Sequence, residues 1–411
     1  MNQAVISTEA QASATPTTTP ERLFGLDVLR GFALCGVSLV NAWLSARPMS
    51  EAFAFPKPDT GTSSWLDAVA WSVFDGLLVT KFVTLFSLLF GIGLVLQNQR
   101  AEANGLPFSK IYRRRLAILA GLGIVHGFVL FEGDILFLYA IVGAILFGFR
   151  NQSPQVLLWL SAIPFTIGVI LSLLWAGFDL ENLLMSAKID AGEIESPRPQ
   201  TVLEVLMIRP VDFIGWLVVS SFMSFNWRVV SFFFLGAAIM KNGWIRPHHV
   251  ERQRRAAVIG LAVGLSIELV GVWLATFDEP SLGIRLGRAL CDEFGSIILS
   301  VGYAGSILWF VHAGHLQSRF LQPLSRGLAA VGRTALTNYL LQSVVMNIVF
   351  MDFLLGYYNR LSPIEVLIVF TTLFAIQIIA STAWLNRFKM GPVEWFWRTL
   401  TYRGIPSAKA R

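Results

Sequence analysis

Apolar stretches long enough to approach or cross a bilayer recur at 24–45, 69–97, 114–131, 134–149, 155–177, 226–241, 256–276, 289–313, 333–353 and 363–385. Short polar loops separate them, so the pattern predicts about ten membrane-spanning helices within a helical domain covering 23–390. A further apolar segment, 203–225, is interrupted by Arg209-Pro210 and Asp212. It predicts an interfacial or re-entrant helix, with Trp216 at headgroup depth. In the final piece, 391–411, the stretch Gly391–Tyr402 mixes aromatic and basic residues and predicts an amphipathic helix on the membrane surface.

Composition turns this pattern into a class. Of 411 residues, 55% are hydrophobic and 14% charged, whereas soluble domains carry about 25% charged residues. The fold class is therefore all-α, a polytopic membrane protein. Lys110 with Arg113–Arg115, then Arg150, Arg246 with Arg252–Arg255, Arg319 with Arg326 and Arg333, and Arg387 with Lys389, Arg398 and Arg403 occupy every second loop. That alternation predicts both termini in the cytoplasm, N-in and C-in, and it assigns the net charge of +6 to orientation rather than to nucleic acid. Cys35 and Cys291 lie in apolar segments, which argues against a disulfide framework. Residues 1–22 form a polar tail without a basic signal-peptide start, expected to be disordered.

Polar residues inside apolar runs carry the chemistry. Gly121–Gly148 holds two runs joined by the corner Phe131-Glu132-Gly133-Asp134. A corner this short makes a helical hairpin, with His126 about two turns before it and Asp134 opening the returning helix. Ionisable groups at such depth face a protein interior or an aqueous cavity. His126 and Asp134 are therefore the centre of the candidate site. Asp27 and Arg30 share one face of the first span, and Asn41 lies three turns further along near that face. Lys81 interrupts the second span and is expected to pair with a carboxylate such as Asp134 or Asp75, or to bind an anionic substrate. Thr334, Asn338 and Gln342, at i, i+4 and i+8, form a stripe beside Tyr339 that either joins helices or lines a cavity. Glu268 and Asp292-Glu293 are further intramembrane acids.

Several signatures are absent: no GxSxG elbow, HExxH, Walker loop or dinucleotide fingerprint occurs. His248-His249, His312 and His315 come without carboxylates at ligand spacing, so no metal is expected.

The motifs LDVLRGFALCGVSLVN, KFVTLFSLLFGIGL, RRRLAILAGLGIVHGFVLFEGDILFLYAIVG, GRTALTNYLLQS and GPVEWFWRTLTY resemble, in order, those of the YeiB family of bacterial inner-membrane proteins. More loosely, the chain is similar to transmembrane acyltransferases of the heparan-α-glucosaminide N-acetyltransferase type. Those also open their membrane domain with an LDxxRG-like helix followed by an Asn, matched here by Asn41. The resemblance implies transfer of an acyl group, in those enzymes acetyl, from cytoplasmic acyl-CoA (acetyl-CoA) to an acceptor hydroxyl or amine, such as a periplasmic glycan, at the outer side. The loop after the first span, 42–64, contains no His, so a base would come from His126 on another helix.

On this reading Arg113, Arg114 and Arg115 hold the CoA phosphates, with Asp27, Arg30, Lys81, Thr334, Asn338, Tyr339 and Gln342 as further binding residues. His126 acts as base or acyl carrier, Asp134 orients it, and Asn41 or Asn338 donates to the oxyanion. The alternative is a proton-coupled transporter or channel for a small polar solute, using His126, Asp134, Lys81 and Glu268 as a relay. Helix faces left apolar serve the lipid bilayer or a homodimer.

Overall fold

The computed structural model describes residues 20–48, 52–53, 55–56, 64–180, 201–246, 249–277 and 280–404; the tail expected over 1–22 lies almost wholly outside them. Among the described residues the chain is helical throughout, with no strand. In order the helices are α1 Pro20–Ser45, α2 Trp65–Val73, α3 Lys81–Ala103, α4 Phe108–Val129, α5 Leu136–Gly148, α6 Pro154–Gly177, α7 Val202–Phe222 and α8 Phe225–Lys241. They continue as α9 Val250–Leu274, α10 Leu282–Leu290, α11 Ser296–His312, α12 Gln322–Arg333, α13 Ala335–Phe350, α14 Pro363–Leu385 and α15 Pro392–Tyr402. Turns of π-helix at Phe74–Leu78 and Cys291–Gly295 join α2 to the start of α3 and α10 to α11.

Among the described residues, six helical stretches are long and apolar enough to cross a membrane: Phe24–Ser45, Trp65–Ala103, Pro154–Gly177, Val250–Leu274, Leu282–His312 and Pro363–Leu385. The other four expected spans are helical but do not meet that standard. Helices α5, α8 and α13 have 13, 17 and 16 residues, against about 20 for a full hydrocarbon crossing. Helix α4 is long enough but carries Lys110 and Arg113–Arg115 in its first turns.

Burial separates a centre from a periphery. The α2–α3 stretch is 67% buried over its most apolar window, whereas α6, α9 and α14 are only 22–28% buried. Trp159, Ile163, Leu269 and Ile379 lie exposed on those outer helices. Such large apolar surfaces belong against lipid.

Central contacts run through glycines. A Cβ at Gly91 of α3 would sit 2.0 Å from the Phe233 carbonyl oxygen of α8, and one at Gly236 of α8 would meet the Leu88 carbonyl at 2.1 Å. Gly31 of α1 lies equally close to Leu328 of α12. Without lipid-excluding hydrophobic force between helices, such backbone approach maximises dispersion contact. Gly93 faces the cavity described below and has only Gln97 near its would-be Cβ.

The segment expected to be an interfacial or re-entrant helix is helical: α7 runs over Arg209-Pro210 without interruption. Arg209 reaches sideways, donating to the Val129 carbonyl (2.5 Å) and to Asn347 Oδ1 (2.5 Å) and lying 3.6 Å from Glu132. Those contacts hold α7 against the α4–α5 corner.

The two ends of the bundle differ in chemistry. At one, the basic junctions are joined by side-chain to backbone bonds: Arg114 to the Arg403 carbonyl, Arg333 to that of Lys389, and Lys241 to those of Arg150 and Gln152. At the other, an aromatic cluster forms around Trp43, Trp71, Phe74, Phe350 and Phe370, with the Trp43 and Phe74 rings stacked at 4.3 Å.

Candidate functional site

The α4–α5 hairpin sets the site. Gly123 allows α5 to approach α4, since a Cβ there would meet the Phe137 nitrogen at 2.4 Å and Asp134 Oδ2 at 2.8 Å. The helix begins two residues later than expected, at Leu136. Asp134, one residue before the N-cap Ile135, still accepts from the Phe137 N–H of its first turn through Oδ2 at 2.9 Å. Its other oxygen, Oδ1, lies 2.8 Å from His126 Nδ1.

The third member of this chain is Ser343 of α13, whose Oγ lies 2.8 Å from His126 Nε2. With Asp134 ionised and Nδ1 carrying the proton, Nε2 accepts the serine hydroxyl, which is the arrangement that prepares a serine as nucleophile. His126, Asp134 and Ser343 are essentially fully buried. Asn347, one turn beyond Ser343, donates to the Leu130 and Ser343 carbonyls at 2.7 Å each and accepts from Arg209. Helices α4, α7 and α13 are thereby fixed around the corner.

Beside the triad lies a cavity of about 240 Å³ enclosed by α1, α3, α4, α5, α12, α13 and α15. Arg30, Arg115 and Arg333 line its mouth at the basic end. Phe86, Phe90, Leu136, Tyr139 and Tyr339 line it further in. Tyr339 separates cavity from triad: it lines the cavity while its ring centroid stands 4.9 Å from that of His126. The Tyr339 hydroxyl makes no hydrogen bond of ordinary geometry, and the Asn41 carboxamide lies beside it. Tyr139 is held by Ser87 at 2.8 Å.

Helix α15 closes the mouth. Glu394 accepts from the Leu336 N–H (2.7 Å), the Thr337 N–H (3.0 Å) and the Thr337 hydroxyl (2.6 Å), capping α13 from outside. Trp397 donates to the Arg115 carbonyl at 2.9 Å, and the Arg115 guanidinium stacks 3.6 Å above its ring.

The remaining candidates divide. Arg30 pairs with Asp27 at 2.8 Å and lines the mouth. Arg113 bonds the Ser109 carbonyl and Arg114 that of Arg403, both on the surface. The polar stripe on α13 is a helix seam: Thr334 and Asn338 bond Ser381, and Gln342 bonds Gln377, all towards α14. None of the three lines the cavity. Lys81 does not approach Asp134; it pairs with Glu268 at 2.9 Å and donates to the Asp75 carbonyl at 2.7 Å. Reading the sequence missed Ser343, Asn347 and Arg209, and no spacing pattern links them to His126. No group of three or more metal-binding side chains occurs among the described residues.

Residues 239–404 match the family model described as a protein of unknown function (DUF418). The chain is 30% identical to the uncharacterized protein YxaH of Bacillus subtilis, covering 95% of this chain and 97% of that one. It is also 30% identical to the uncharacterized protein YeiB of Escherichia coli, covering 94% and 98%. An uncharacterized 39.9 kDa protein of Bacillus acidopullulyticus is 27% identical over 94% of this chain and 96% of its own. No solved structure matches. With full-length identity to YeiB and a DUF418 match over its C-terminal part, this helical membrane protein belongs to the YeiB family.

Proposed function

We propose that the protein is an integral-membrane acyltransferase with Ser343 as its acyl carrier. The observation that carries this reading is the Asp134–His126–Ser343 chain, with both contacts at 2.8 Å, directly behind a tyrosine that lines a basic-mouthed cavity. At about 240 Å³ the cavity is smaller than the roughly 300–1,000 Å³ of typical small-molecule pockets. It suits a slender acyl–pantetheine arm whose phosphates remain outside, near Arg30, Arg115 and Arg333.

Ser343 Oγ attacks the thioester carbonyl as its proton passes to His126 Nε2, and the C–S bond breaks as that proton leaves with the CoA thiol. An acceptor hydroxyl or amine then attacks the acyl-serine, losing its proton to His126, and Ser343 regains one. Asp134 stabilises the imidazolium in both halves. The Tyr339 hydroxyl, beside Asn41, is the donor we assign to the oxyanion. Tyr339 must turn aside for the carbonyl to meet Ser343.

The topology proposed with this mechanism has ten crossings, with both termini on the basic side, in the cytoplasm of a bacterium with this chain in its inner membrane. Donor enters from the basic end and acceptor from the aromatic end.

Calorimetry with acetyl-CoA and detergent-purified protein tests the donor. Saturable binding that weakens in Arg30→Gln and Arg333→Gln is expected. Absence of binding to the wild type overturns the reading.

A further inference from the structure

Towards the aromatic end, apart from the cavity, seven acidic and basic side chains joined in ion pairs meet among the described residues. Lys81 pairs with Glu268 at 2.9 Å, and Arg228 with Glu293 at 2.6 Å. Arg288 reaches Asp75 at 3.4 Å and Asp292 at 3.9 Å. Four acids face three bases, a surplus of one negative charge. The side chains of Lys81, Glu268, Arg228 and Glu293 are at most 3% exposed, so these two inner pairs are held out of bulk water. Glu268 Oε1 is buried without a hydrogen-bond partner and is packed so closely that a Cβ at Gly295 would lie 2.8 Å from it.

The backbone around these charges is specially shaped. Both π-helical turns, Phe74–Leu78 and Cys291–Gly295, contribute side chains to the cluster. Thr80, just before Lys81, holds φ at 65°. Its hydroxyl meets that of Ser296 at 2.7 Å, and Ser300 donates to the Lys81 carbonyl at 3.0 Å. Helical π turns recur at functional sites, and a β-branched threonine at positive φ is strained.

We propose that this cluster is a proton-binding site, with Glu268 as the acceptor of one exchangeable proton. A carboxylate oxygen held in the membrane interior without a partner costs far more free energy than the same oxygen protonated. One proton on Oε1 leaves three acids against three bases and keeps the Oε2 contact to Lys81. The groups facing Glu268 are Lys81, Asp75, Cys291, Asp292 and Tyr303; Arg288 stands behind Asp75 and Asp292, pairing with both. Of the ion-paired residues, Arg288 and Asp292 form the rim, with side chains 28% and 38% exposed, and provide the path by which the proton exchanges. The site does not depend on acyl transfer at Ser343.

Infrared difference spectra of the protein in lipid nanodiscs, recorded from acid to alkaline pH in H₂O and D₂O, test it. A protonated-carboxyl band that persists to neutral pH, after the exposed carboxyls have ionised, is expected, shifted by D₂O, lost in Glu268→Gln and retained in Ser343→Ala. Arg288→Gln removes a base from the cluster and moves the midpoint of the band to higher pH; Glu268→Asp keeps a band at a shifted frequency. The proposal is overturned if the wild type shows no such band, or if folded Glu268→Gln retains it unchanged. Should Glu268→Gln fail to fold, an unchanged band in both Glu268→Asp and Arg288→Gln overturns it.

Discussion

His126 Nε2 and Ser343 Oγ stand 2.8 Å apart although 217 residues separate them in the chain. That contact joins the α4–α5 hairpin to α13, and it converts a buried histidine–aspartate pair into a three-membered hydrogen-bonded chain. Neither ring nitrogen is left without a partner, so the imidazole is locked in position before any ligand arrives.

The contact also contributes to stability. Ser343→Ala leaves a buried ring nitrogen without a partner, at a cost of about 1–3 kcal/mol. His126→Ala removes the partner of Asp134 as well and costs more. Because the two residues touch, the double variant costs less than the sum, by about 0.5–3 kcal/mol. Thermal midpoints of the purified protein in one detergent measure all three, and strict additivity contradicts direct coupling.

The α3–α8 contact tolerates no side chain at its closest point. Gly91→Ala and Gly236→Ala drive a methyl against backbone carbonyls at 2.0 and 2.1 Å and are expected to lose about 1–3 kcal/mol or more. Gly121→Ala, with nothing within 4 Å of the new carbon, gains from helix propensity by up to about 1 kcal/mol. A melting series shows the first two falling and the third unchanged or raised.

Glu394 is the clasp of α15. Three donors from the start of α13 converge on its carboxylate, so Glu394→Ala weakens the attachment by about 1–2 kcal/mol, roughly a 5–30-fold change in the detached population. Limited proteolysis between α14 and α15 is expected to accelerate accordingly, and the emission of Trp397, no longer stacked on Arg115, to change. Unaltered cleavage contradicts the role.

The expected spans were legible because each is an apolar run, and even short α5 and α13 stand out between charged loops; α10 and α12, amphipathic and bearing arginines, lie where loops were expected. Arg209-Pro210 interrupts the apolar run of 203–225 without ending its helix, because a proline is tolerated where neighbours re-satisfy the backbone. Here α7 is supported by the corner that Arg209 binds. The His126–Asp134 pair was legible because the residues flank one tight turn. Ser343 was not, because a lone serine in a helix carries no signal until α13 is docked. The same docking decided Asn338: its stripe was visible, but only the position of Ser381 shows that it faces α14.

The most direct test of the account is to incubate purified protein with acetyl-CoA and no acceptor, then follow intact mass and released CoA thiol. Acetylation at a single site, mapped to Ser343 and accompanied by one equivalent of thiol, is the predicted result, abolished in Ser343→Ala and slowed by orders of magnitude in His126→Ala. Acetyl-CoA bound without any acyl-enzyme, or an adduct that persists in Ser343→Ala, contradicts it.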